Sequence, residues 1–194
     1  MSEIITSEIE ISAGVISSGL TVDTNGVVTV LSGGTVTDTE AVNFGYLVVE
    51  SGGFARDLTM RDGGDVLILG EAENLTMKDG GQMDVMEGVM RSGTILNDGY
   101  GMVYAGASGL NVTVSSGGRY LVYGGYVGDT VVESGGSFTI QMSGGIAADT
   151  VVNSGGSARV VSGAHGSRTD VNGGRLEMLY GYLYALLFCI RVFL

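Results

Sequence analysis

The stretch Val131-Val132-Glu133-Ser134-Gly135-Gly136 decides how the chain reads, because it returns almost unchanged as Val151-Val152-Asn153-Ser154-Gly155-Gly156. Working outward from it, a glycine recurs as Gly26, Gly45, Gly63, Gly80, Gly99, Gly117, Gly135, Gly155 and Gly173, in steps of 17 to 20 residues. A second series runs Gly33, Gly52, Gly70, Gly88, Gly106, Gly124, Gly144, Gly163 and Gly181, seven to nine residues behind the first. Two interleaved glycine series at one period identify a repeat, and a period of this length points to a solenoid whose units stack on one another.

Between the glycines the pattern is that of short strands. Pairs such as Val66 and Ile68, Met83 and Val85, Met102 and Tyr104, Tyr120 and Val122, Phe138 and Ile140 alternate with polar residues, which predicts strands with one buried face. The residues three before the first glycine, including Val42, Met60, Met77, Leu96, Val114, Val132 and Val152, are expected to point inward. No window carries a helical stripe. Stacking equivalent strands in parallel register would bury the apolar faces in one continuous column, so the expected fold is all-β: a parallel β-solenoid, a single-stranded and right-handed β-helix of about nine rungs. At about 4.8 Å per rung, such a rod is about 40–45 Å long.

The expected organisation is a capping strand over residues 1–10, the solenoid over 11–183 and an apolar tail over 184–194. The tail reads as a C-terminal cap, as a truncated or frame-shifted repeat, or as a membrane-associating segment; 11 residues are too few to span a bilayer. The first residues lack the basic and apolar regions of a cleavable signal peptide.

Composition narrows the function classes. The chain has 35 glycines, no proline, and 9 basic against 21 acidic side chains for a net charge of -12. Such a surface repels a phosphate backbone, which argues against nucleic-acid binding. Cys189 is the only cysteine, so no intrachain disulfide or cysteine-based zinc site is expected. No cofactor is implied. The residues preceding the first glycine series include Asp62, Asp79 and Asp98; they read chiefly as turn formers, with a stacked cation site as the sharper alternative. Calcium-binding nonapeptide repeats are absent.

An enzyme needs a constellation that this sequence does not offer. His165 is the single histidine and falls in a long turn, Ser162-Gly163-Ala164-His165-Gly166-Ser167, and no GxSxG nucleophile elbow occurs. Glu50, Asp65, Asp84, Glu133 and Asp149 could supply paired carboxylates of the kind that cleave glycosides. Uniform rungs leave no long loop to wall a cleft around them. Nor do Thr59, Thr76 and Thr113 make a flat ice-binding array, since Val131 and Val151 interrupt the column.

The units Asp129-Thr130-Val131-Val132-Glu133-Ser134-Gly135-Gly136 and Asp149-Thr150-Val151-Val152-Asn153-Ser154-Gly155-Gly156, together with the opening Val15-Ile16-Ser17-Ser18-Gly19-Leu20-Thr21-Val22, resemble the roughly 19-residue repeats of AIDA-type autotransporter adhesins. The likeness covers about residues 11 to 183 and is densest between 110 and 175. It implies a bacterial cell-surface or extracellular passenger that mediates adhesion or self-association, with a second copy or a cell-surface glycan as partner. It also implies O-glycosylation, for which Ser116, Thr130, Ser134, Thr150 and Ser154 are the corresponding positions. Asp62, Asp79 and Asp98 depart from the serine of the repeat, and no translocating barrel follows in this sequence. The competing class is a carbohydrate-binding or carbohydrate-cleaving β-helix protein.

Overall fold

A computed structural model describes residues 3–161 and 163–188. Among the described residues there is no helix, and two parallel sheets account for the stack. One has ten strands, in chain order Glu8–Ile11, Val27–Val30, Tyr46–Val49, Asp65–Ile68, Gln82–Val85, Tyr100–Tyr104, Arg119–Tyr123, Ser137–Gln141, Ser157–Val161 and Arg175–Leu179. The other has thirteen, built mainly from seven- and eight-residue strands such as Thr35–Ala41, Phe54–Met60, Glu71–Met77, Val89–Ile95 and Ile146–Asn153. Successive turns contribute one strand to the first sheet and one, sometimes broken in two, to the second. The fold is therefore a parallel β-solenoid of about nine turns.

Residues 3–11 belong to this stack. Glu3–Ile5 pairs with Leu20–Val22, and Glu8–Ile11 pairs with Val27–Val30, both parallel. At the other end, the backbone of Tyr182–Phe188 continues the thirteen-stranded sheet beside His165–Asn172. Of the apolar tail, positions 189–194 lie outside the described residues.

The core is one column of inward side chains. In the ten-stranded sheet it includes Val28, Leu47, Val66, Met83, Tyr120, Phe138 and Ala158, all at most 2 % exposed. The pairing register corrects the expected phase in the central rung: Gly101 and Val103 point inward there, and Met102 and Tyr104 point outward. The cause is Tyr120 on the next rung. Its buried ring stacks on Phe138 at a centroid distance of 5.7 Å; its hydroxyl occupies the space that a side chain at Gly109 would need, and together with Ile95 and Met83 the ring fills the space beside Gly101. Two inward glycines thus break the apolar alternation to admit one large ring.

The glycine series also separate into two structural columns. The position before each strand of the ten-stranded sheet after the first is Gly26, Gly45, Gly64, Gly81, Gly99, Gly118, Gly136, Gly156 and Gly174, so the first glycine of a pair is not the invariant one. The same offset places Ala41 and Ile95 in register with Met60 and Val114; Val42 is buried beside Ala41, whereas Leu96 is half-buried. A Cβ at Gly64 would lie 2.0 Å from the Ala41 carbonyl oxygen of the preceding rung, so this column is glycine because rungs approach too closely for any side chain. The neighbouring position needs positive φ instead: glycine at 63 (φ 79), but Asn25, Phe44 and Asp98 on other rungs.

A third corner has no glycine signature. In the long strands, inward residues fall three apart, as with Ala55 and Leu58 or Ala72 and Leu75, and the residue before the second has positive φ. That column is Asp38, Asp57, Asn74, Ser92, Asn111, Asp129, Asp149 and Arg168. Asp and Asn tolerate the left-handed region better than other non-glycine residues. The thirteen-stranded sheet therefore bends along a polar edge, visible in sequence only as an acid-or-amide residue at the solenoid period.

Candidate functional site

The register decides which candidate residues meet. Asp62, Asp79, Asn97, Ser116 and Ser134 form one turn column, linked through backbone contacts such as Asp62 N–H to the Asp79 carbonyl at 2.9 Å and Asp79 N–H to the Asn97 carbonyl at 2.6 Å. Asp98 falls in the next column, so the three aspartates do not stack. Among the described residues no group of three potential metal ligands converges.

Thr130 and Thr150 are inward and buried, at 0 % and 2 % exposure. Their hydroxyls lack a hydrogen-bond partner. Of the five positions that the resemblance marks for glycosylation, these two are therefore enclosed in the folded rod. Ser116, Ser134 and Ser154 lie on exposed turns.

The candidate carboxylates scatter over the edges of the rod. Asp149 sits at the polar corner and pairs with Arg168, which holds its carboxyl below the usual range through that hydrogen bond. Glu133 accepts a hydrogen bond from Asn153 Nδ2 at 2.9 Å. His165 opens the strand His165–Asn172, opposite Ile146, rather than lying in a loop. Only Asp65 and Asp84 share a face: the outward side of the ten-stranded sheet, on adjacent rungs and two positions apart along the strand.

That face differs from the rest of the surface. Its middle rungs present Tyr46, Leu67, Tyr100, Met102, Tyr104 and Leu121 outward, each half-buried by neighbours on adjoining rungs. Tyr104 packs edge-on against Tyr123 at 6.1 Å. Burial, then the Asp84 charge, raises the Asp65 carboxyl above its ordinary value, opposed by the Val66 N–H. One Asp65 oxygen is buried without a hydrogen-bond partner. Burial likewise raises Asp84, opposed by the Tyr104 hydroxyl that donates to it. Tyr46 and Tyr104 are raised by burial first and by these carboxylates second. The alternating pattern marked the strands but placed Met102 and Tyr104 in the core, and so hid the outward strip.

On the thirteen-stranded sheet, Thr59, Thr76, Thr94 and Thr113 form an unbroken outward ladder, flanked by Glu40 and by Val131. With Asp57, Asn74 and Ser92 of the polar corner, three of these threonines line a shallow groove of about 410 Å³. Leu58, Leu75 and Gly93 complete its lining, and Asn74 Nδ2 already donates to Asp57 at 3.1 Å.

No family model matches this chain. No curated relative matches it either. Among solved structures, the chain is similar to the crystal structure of a TibC-catalysed, hyper-glycosylated TibA fragment, at 22 % identity and a TM-score of 0.49 over 93 % of this chain and 97 % of that one.

Proposed function

We propose that this chain is a non-catalytic repeat rod at the bacterial cell surface, acting by adhesion or self-association. The observation that carries the reading is the outward strip of tyrosine, leucine and methionine side chains, with Tyr104 and Leu121 at its middle, on one face of the ten-stranded sheet. Contiguous apolar surface rimmed by polar residues is the usual mark of an interaction site, and tyrosine and methionine are enriched in such patches. A parallel sheet presents this strip as a nearly regular array, so weak contacts repeat along it and add. The resemblance of the Ser-Gly-Gly repeats to AIDA-type passengers supports the same reading.

Sedimentation velocity across a wide concentration range tests it. Self-association gives a sedimentation coefficient that rises with concentration, and Tyr104→Ser with Leu121→Ser suppresses the rise. A rod that stays monomeric at the highest concentrations and fails to bind intact cells would rule the reading out. Surface placement is checked by protease accessibility on intact cells. A glycan-binding role is the second reading, favoured by the threonine, asparagine and aspartate groove at Thr59, Thr76 and Asn74; glycan-array binding lost on Thr76→Val would support it.

A further inference from the structure

The charges on the ten-stranded sheet are distributed as a dipole along the rod. In the first outward column, the residues from one end to the other are Glu8, Val27, Tyr46, Asp65, Gln82, Tyr100, Arg119, Ser137, Ser157 and Arg175. Acids stand on the first and fourth rungs, and arginines on the seventh and tenth. The sequence of signs inverts about the midpoint between Gln82 and Tyr100. In the second outward column Asp84 lies before that midpoint and Arg159 after it.

We propose that two copies of this chain pair face to face through the ten-stranded sheet, rods antiparallel, about a twofold axis that runs along the strands between Gln82 and Tyr100. This rests on the self-association reading above and names its surface and geometry. The twofold places Asp65 of each copy opposite Arg119 of the other, and Glu8 opposite Arg175. It sets Leu67 against Leu121 and Tyr100 against Gln82. Neither Asp65 nor Arg119 makes an ion pair within its own chain among the described residues. The pairing gives each a partner while the apolar strip is covered. A twofold along the rod axis, between the two outward columns, keeps each rung opposite its equivalent but reverses the strand direction, so Asp65 meets Leu67, Arg119 meets Leu121, and neither charge gains a partner. Two matches are unfavourable: Glu10 faces Glu177, which is already paired with Arg159 at 3.0 Å and Arg175 at 3.8 Å, and Asp84 faces Met102.

The size is adequate. Ten rungs at about 4.8 Å and five strand residues at about 3.3 Å give a face of about 800 Å² per copy, the size per partner of a stable interface. Isologous pairing of this kind closes as a dimer, and complementary charge fixes its direction.

Charge reversal tests the geometry. Asp65→Arg alone and Arg119→Asp alone each place like charges across the axis twice, and each weakens self-association by about tenfold or more. Mixing the two variants restores association, because one copy then carries Arg at 65 and 119 and the other Asp at both. Thermal melts confirm that each variant is folded; if one is not, Gln82→Cys and Tyr100→Cys in a Cys189→Ser background replace it, and the expected disulfide forms between the two variants in a mixture rather than within either alone. Wild-type self-association that ignores the reversals, or a mixture that fails to recover, overturns this geometry and leaves the self-association reading standing. A wild-type chain that never associates overturns both.

Discussion

Single residues in this rod are fixed by how closely one turn lies on the next. Gly64 has no room for a methyl group beside the Ala41 carbonyl, so Gly64→Ala is expected to cost on the order of 2–4 kcal/mol in denaturant unfolding. Phe44 has the opposite relation to its site: it holds φ 66 with its side chain 81 % exposed. Phe44→Gly therefore removes left-handed strain and stabilises by about 1 kcal/mol. A third position is Tyr120, buried with no partner for its hydroxyl, and burial pushes that hydroxyl far above its usual pKa. Tyr120→Phe leaves the stacked ring in place and removes an unsatisfied polar atom, so the melting midpoint rises, by about 1 kcal/mol in stability. These three responses separate steric exclusion, backbone strain and polar burial as causes, although all three positions read in sequence simply as repeat variation.

At the scale of the sheet, the outward face of the ten-stranded element carries Asp65 and Asp84 at a cost. Both carboxyls are raised, by burial first. The folded state therefore holds more protons than the unfolded chain between the ordinary carboxylate value and the raised one. Stability from these two groups is greatest at acidic pH and falls as pH rises through that window. Asp65→Asn should accordingly stabilise the monomer at pH 7, by up to about 1 kcal/mol after allowance for solvent screening, and should flatten the pH dependence of unfolding just above the ordinary carboxylate value. Asp149 runs the other way: its lowered carboxyl, paired with Arg168, contributes above the ordinary value and is lost as pH falls through the depressed one. An Asp65 that costs stability at neutral pH fits the pairing surface proposed above, where it would meet Arg119 of the second copy. The strip itself was half legible. Tyr46 and Leu67 follow the strand alternation, whereas Met102 and Tyr104 point outward because Gly101 yields its place to a ring from the next rung.

For the whole molecule, stability is a sum over stacked turns and their contacts. Deleting residues 46–64 removes one full turn and joins Gly45 to Asp65 in equivalent positions. That variant is expected to keep its β circular dichroism and cooperative unfolding at a lower midpoint, whereas deleting residues 46–54 shifts the phase and should leave no cooperative transition. The period, the parallel stack and the polar turns were determined by the sequence alone, because a chain with glycine at every eighteenth or so residue and short apolar alternations has one economical way to bury its strands. Only the tertiary structure decided which glycine of each pair is sterically required, that Thr130 and Thr150 are buried, and that a third corner runs through Asp57 and Asn74. It also decided that Asp65 and Asp84 share a face. The reason is register: in a strand a shift of one residue exchanges inside for outside, and rungs of 17 to 20 residues are aligned by their hydrogen bonds to the neighbouring turn, not by counting along the chain.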